Sequence, residues 1–378
     1  MHKSNFKRTL AIVLVLCIVS VFNAIAQKKR HVIIGYVGGY RGLIDTTMVN
    51  AKKLTHINYA FVNVRNNRAW LTNIKTDTTN FRNLLKLKKV NPDLKVLISI
   101  GGWSWSKNFS DAVLTDTSRK AFAESAVDIV RKYNLDGLDI DWEYPDDKGD
   151  GNVYRTADKY DYTLMFKAIR HELARLQHET GRKMFLTAAV GGFKRFTEHT
   201  EMNKAAKYLD YVNLMTYDYF QDSLGIAVHH TNLYASKKYK TLDAADKAVD
   251  DFITAGVPVK KLVMGMAFYG RSARVTDTAA NGLGIKTDGK MRAGGYTFLK
   301  DSLVNNAGRG FKYYRDNDAS APYLFNPQTK QFISYDDEWS AKNKCDYVSR
   351  RHMAGVMFWE YSDDQKEYLL DEINRDLN

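Results

Sequence analysis

The sequence predicts an α/β protein, a closed (β/α)8 barrel with a small α+β insertion between its seventh and eighth strands. Three observations predict it: eight short β-rich apolar segments, stretches of helical period between them, and a last interval nearly twice the usual length. Strand followed by helix, repeated, asks for a parallel sheet with helices outside it. Eight units favour closure, although an open doubly wound sheet has the same local pattern.

The strand segments are His31 to Val37, Thr55 to Val62, Leu94 to Ile100, Gly137 to Trp142, Met184 to Val190, Tyr211 to Thr216, Leu262 to Ala267 and Ala354 to Trp359. Helical period appears between them as Phe122, Ala126, Ile129, Val130 and Tyr133, then as Tyr162, Met165, Ile169, Leu173 and Leu176. A third helix carries Ala245, Val249, Phe252 and Ile253, and Gly256 and Pro258 end it. Strand starts lie 24 to 51 residues apart until the last interval of 92. The excess, residues 272–334, is the expected insertion. Within it Tyr296 to Leu299 and Gln331 to Ser334 read as short strands. The barrel would then comprise 27–271 and 335–378.

Residues 1–26 read as a secretory signal peptide. Lys3, Lys7 and Arg8 precede an apolar run from Leu10 to Phe22, and Ala24-Ile25-Ala26 supplies small residues for cleavage near Ala26. The run falls short of the roughly 20 residues that span a bilayer. An exported protein, extracellular or periplasmic and without stable membrane association, is expected. The chain has 56 Lys and Arg against 43 Asp and Glu, a net charge of +13. These basic residues are scattered, with no zinc-finger or phosphate-binding motif, so no nucleic-acid partner is expected. Cys17 leaves with the signal peptide and Cys345 stands alone, which excludes an internal disulfide.

The chemistry concentrates in Leu135-Asp136-Gly137-Leu138-Asp139-Ile140-Asp141-Trp142-Glu143-Tyr144-Pro145. Side chains alternate on a strand, so Asp139, Asp141 and Glu143 share one face at intervals of about 6 to 7 Å. Leu138, Ile140 and Trp142 face the helices. In a barrel the acids would enter the interior, with Glu143 at the carboxyl end, where barrel active sites lie. Three carboxylates this close must share protons, and a raised pKa is what a general acid needs at neutral pH. The plainer readings are a hydrogen-bonded acidic strand or a calcium site. Calcium usually draws its oxygens from a flexible loop rather than a rigid row.

The segment Asp136 to Pro145 resembles the DGxDxDWEYP signature of glycoside hydrolase family 18 chitinases. Ser99-Ile100-Gly101-Gly102 is similar to the family's SxGG, Met215-Thr216-Tyr217-Asp218 to its MTYD, Phe268-Tyr269-Gly270-Arg271 to its FYGR and Gly355 to Glu360 to its GxMFWE. Ala321 to Phe325 and Ile333 to Asp337 look like the end of the inserted domain of relatives with deep clefts. The motifs stand in the family's order over nearly the whole mature chain. The resemblance implies a (β/α)8 TIM barrel that hydrolyses β-1,4 linkages in chitin or chitooligosaccharides with retention, as a monomer and without cofactor or metal.

It also implies roles. The substrate's own acetamido oxygen attacks the anomeric carbon, so no protein nucleophile is needed. Glu143 would protonate the leaving oxygen and later deprotonate water, Asp141 would orient the acetamido group, and Asp139 would share a proton with Asp141. Asp136, of opposite parity, would brace the strand. Tyr217 would bond the acetamido group, with Met215 and Asp218 on the same wall and Trp359 as the floor under the sugar. Trp103, Tyr36, Phe61, Tyr269 and Arg271 are cleft candidates by motif position, whereas Ser99, Gly101 and Gly102 are read as packing. Tyr219 to Leu224 departs from the relatives' pattern after MTYD, and the His229-His230 pair reads as structural. Two alternatives share the acidic strand or the barrel: an endo-β-N-acetylglucosaminidase acting on N-glycans, and a chitin-binding lectin that has lost the acid.

Overall fold

The computed structural model describes residues 31–378 apart from Leu242. The expected signal peptide, its cleavage point and Cys17 lie outside the described residues. In chain order the strands are β1 (Val32–Gly38), β2 (His56–Arg65), β3 (Arg68–Trp70), β4 (Lys95–Gly101), β5 (Gly137–Asp141), β6 (Phe185–Gly191), β7 (Tyr211–Met215), β8 (Leu262–Ala267), β9 (Tyr269–Val275), β10 (Thr287–Gly295), β11 (Lys312–Asp316), β12 (Ala321–Asn326), β13 (Gln331–Ser334) and β14 (Gly355–Trp359). Parallel pairing runs β1–β2–β4–β5–β6–β7–β8–β14 and returns to β1. Eight strands therefore close into the expected barrel. β3 is an antiparallel hairpin on the end of β2. Strands β9 to β13 form a separate antiparallel sheet in the order β10-β9-β13-β12-β11.

Period-two alternation divides the barrel strands between two apolar layers. Ile33, Ile57, Ile98, Leu138, Ile140 and Leu186 pack outward, against helices. Val32, Ile34, Ala60, Ala189, Val263 and Met357 fill the interior, beneath Phe61, Met215, Tyr217 and Trp359. Each fully buried side chain of this size contributes about 1.5–3 kcal/mol.

The helices obey the predicted spacing. Asp116–Tyr133 buries Phe122, Ala126 and Val130 on one face. Thr115 and Ser118 cap its start reciprocally, and the left-handed Asn134 ends it. Asp158–Thr180 buries Tyr162, Met165, Ile169, Leu173 and Leu176. Ala245–Thr254 stops just ahead of Gly256 and Pro258. Among the described residues no helix is long and apolar enough to cross a membrane.

One expected strand is helical. Tyr296–Phe298 is a helical turn continued by Leu299–Val304. Tyr296, Leu299 and Leu303 are buried while Phe298 is 50% exposed. That i, i+3, i+7 burial is a helical stripe, and four residues were too few to separate it from alternation.

Close packing beside the acids generates a test. Gly101 has a φ of +113°, and a Cβ there would lie 2.0 Å from the Asp141 carbonyl oxygen. Gly101→Ala should therefore lose at least about 2 kcal/mol in urea unfolding, from backbone strain plus overpacking. An unchanged unfolding curve would contradict this packing of β4 on β5.

Candidate active site

The barrel's parallel register sets Ser99 of β4 and Thr187 of β6 level with Asp139 of β5. All three then point inward at one height. The Ser99 and Thr187 hydroxyls donate to Asp139 at 2.7 and 2.5 Å. The Tyr36 hydroxyl adds a third bond at 2.9 Å and the Asn213 amide a fourth at 3.2 Å. Asp139 is fully buried, yet both its oxygens are saturated by donors.

Asp141, one step up the same face, differs. It is 4% exposed, and its Oδ1 has no hydrogen-bond partner among the described residues. Burial pushes its pKa well up, and the charges of Glu143 and Asp139 push it further. Burial also raises Asp139, against the pull of its four donors. A carboxylate with four donors favours the anion, so Asp139 is better suited than Asp141 to carry the charge.

Glu143 stands just past the end of β5. Its N–H donates to the Ser106 hydroxyl at 2.9 Å, and that hydroxyl lies 3.0 Å from the Asp141 carbonyl oxygen. The loop after β4 thereby fixes the exit of β5. Burial pushes the Glu143 carboxyl up to about 7, with hydrogen bonding from Tyr144 pulling back and the charge of Asp218 adding to the rise.

Asp218 closes the opposite wall. It accepts the Tyr269 hydroxyl at 2.6 Å and pairs bidentately with Arg271, both contacts at 2.7 Å. Despite burial, the bonds from His230 and Arg271 hold its carboxyl far below the usual range. Tyr217 is half-buried, and among the described residues its hydroxyl meets only the Met357 sulfur, at 3.8 Å, a weak acceptor. Asp141 is the largest charge acting on that hydroxyl, which is thus poised beside the row.

An aromatic platform completes the mouth. Trp359 lies 5.3 Å from Phe61, nearly parallel, and 5.8 Å from Tyr36. Trp103 is 52% exposed at the rim, with its ring 6.3 Å from that of Tyr144. A cleft of about 430 Å³ runs from Trp359 past Arg41, Asp363 and Tyr269 to Arg271 and the end of β10.

The expected residues therefore fall at one end of the barrel, but some were misjudged or missed. Ser99 is a donor to Asp139 as well as a small residue, because parallel register leaves its hydroxyl level with the acid. Thr187, Asn213, Ser106 and Tyr40 were not anticipated. Thr187 and Asn213 did carry a signal, since each is a polar residue at interior parity in an apolar strand. Ser106 and Tyr40 sit in loops, where parity says nothing. Asp136 receives the Val96 N–H at 2.8 Å and pairs with Lys88 and Arg182 at the base of β5. His229 meets Asp316 at 3.2 Å, while His230 lies 3.2 Å from the Tyr269 carbonyl and 3.7 Å from Asp218. The pair thus diverges into two separate networks.

Comparison with known proteins agrees with this arrangement. The model of the glycosyl hydrolases family 18 matches residues 32–364. Chitinase A1 of Niallia circulans is 39% identical over 79% of this chain, which spans 44% of that protein's length. Endochitinase 1 of Metarhizium robertsii is 32% identical over 84% of this chain and 77% of its own. A solved family 18 N-acetylglucosaminidase from Paenibacillus barengoltzii superposes with a TM-score of 0.85 at 40% identity, over 92% of this chain and all of that one. With the acid row, the barrel and the motif order in agreement, the chain belongs to the glycosyl hydrolases of family 18.

Proposed function

We propose that the protein is an exported chitinase that hydrolyses β-1,4 linkages between N-acetylglucosamine units with retention, acting as a single chain because one barrel holds the whole acid row. The observation that carries this reading is the unequal surroundings of the three neighbouring acids: Asp139 saturated by donors, Asp141 bearing an unpartnered oxygen, and Glu143 pushed up by burial to about 7.

In the proposed reaction one sugar lies on Trp359 with its acetamido group beside Asp141 and Tyr217. The acetamido oxygen attacks the anomeric carbon, the bond to the leaving oxygen breaks, and that oxygen takes the Glu143 proton. Asp141 accepts the acetamido N–H. The single negative charge of the Asp139–Asp141 pair stabilises the positive charge developing on the cyclic oxazolinium ion. Water then attacks the anomeric carbon from the vacated face, the bond from that carbon to the acetamido oxygen breaks to restore the acetamide, and the water's proton passes to the Glu143 carboxylate, which restores the acid. Two displacements retain the configuration.

Glu143→Gln should lower kcat on chitotetraose by about 10²-fold to 10⁴-fold with an unchanged melting curve, the range expected for loss of general acid catalysis. Product chromatography checks it, and a variant keeping a tenth of the activity would refute the assignment. A substrate with a free amine in place of the acetamido group on the reacting sugar should not turn over. Continued cleavage would point to a protein nucleophile. Binding of chitooligosaccharides without release of sugars would favour the lectin alternative, and cleavage of N-glycan cores in preference to chitotetraose the endoglycosidase.

The acid must be protonated, so kcat/KM should fall as pH rises through about 7. The negative charge of Asp218 disfavours ionisation of Glu143. Asp218→Asn should therefore move this alkaline limb to lower pH. A shift upward would contradict the electrostatics.

A further inference from the structure

Glu360, the residue after Trp359, has 0% exposure, and the chemistry above does not use it. Burying a carboxylate is costly unless it is paired and hydrogen-bonded. Its Oε1 accepts the Ser362 hydroxyl at 2.8 Å and pairs with Arg41, and its Oε2 accepts the Tyr40 hydroxyl at 3.1 Å. Half-buried Asp363 beside it adds a like charge, which increases the demand for Arg41. Two of its three partners thus come from one short segment after β1, and both are surface residues, Arg41 56% exposed and Tyr40 47%.

That segment is pressed against the sugar platform. The Tyr40 ring lies 6.3 Å from Trp359 at 10° and 6.4 Å from Phe61 at 13°. A Cβ on Gly38 would lie 2.7 Å from Glu360 Oε2 and 2.8 Å from the Tyr40 ring, so a larger residue there would push the two apart. Arg41 and Trp359 both line the 430 Å³ cleft, which does not reach Glu143. On the proposed chemistry the reacting sugar lies on Trp359 with its leaving oxygen beside Glu143, so a cleft that continues from Trp359 along Arg41 and Asp363 takes the sugars on the non-reducing side.

We propose that Glu360 is a positioning residue: through Arg41 and Tyr40 it holds the segment after β1 against Trp359, where that segment walls the subsite for the sugar next to the reacting one on the non-reducing side. This inference rests on the chitinase reading. It predicts that breaking the anchor weakens binding of that second sugar and leaves bond cleavage on bound substrate largely intact.

The test uses the fluorogenic 4-methylumbelliferyl glycoside of the N-acetylglucosamine disaccharide, whose second sugar occupies this subsite. Glu360→Gln and Arg41→Gln should each raise KM about tenfold with kcat changed less than about threefold, the mark of lost ground-state binding. The double variant should be no worse than the worse single, because both remove one interaction. Arg41→Lys, which keeps the charge, should recover part of the loss. Losses confined to kcat, or losses that add in the double variant, would overturn the proposal. Arg41 is exposed, so its variants decide the matter even if Glu360→Gln fails to fold. Absence of turnover by the wild type would defeat the chitinase reading and this inference with it, whereas wild-type turnover with unchanged KM in both variants would defeat this inference alone.

Discussion

The structure turns on one electrostatic constraint: three carboxyl groups stacked on one face of β5, inside a barrel that excludes most water. At such spacing like charges in a poorly screened interior cannot all remain ionised. The surroundings resolve the conflict unevenly. Four donors from β1, β4, β6 and β7 converge on Asp139. None reaches Oδ1 of Asp141. Four strands outside β5 are thus committed to one acid, and the closed register is what brings them to its height.

The three acids also differ in what holds them. Asp139 and Asp141 lie within the sheet, where neighbouring strands fix them. Glu143 lies beyond it, and its backbone is held by Ser106 from the loop after β4. That placement leaves the outermost acid half-buried, desolvated enough to keep a proton near neutrality and open enough to meet a ligand. Asp218 has the opposite character. Bound by Arg271 and Tyr269, it stays ionised and supplies a fixed negative charge that acts on Glu143.

Much of this was legible in the sequence, for a physical reason. Period-two alternation is exact, so placing Asp139 inward also places Asp141 and Glu143, and the apolar partners Leu138, Ile140 and Trp142 follow outward. The eight barrel segments were legible on the same ground. Cross-strand partners were harder. Thr187 and Asn213 join the site only through the register between strands, which no single strand encodes. The segment from Tyr296 to Leu299 misled because four residues contain one helical turn or two pleats. Loop residues such as Tyr40 and Ser106 carried no periodic signal at all.

The same constraint bears on which atom can attack a sugar in this cleft. A protein nucleophile must be an anion with a free lone pair facing the anomeric carbon. Asp139 is enclosed by donors, and on the proposed chemistry Asp141 holds the proton that the pair shares. On the proposed chemistry Glu143 is the proton donor, and Asp218 is bound at both oxygens by Arg271 and Tyr269. The two most heavily bonded carboxylates, Asp139 and Asp218, therefore offer no free oxygen. On the proposed chemistry the substrate's acetamido oxygen fills that place, and the residues left without strong partners, Asp141 and Tyr217, are those beside which it would sit. The acids therefore supply protons and a compensating charge while the attacking atom arrives with the ligand.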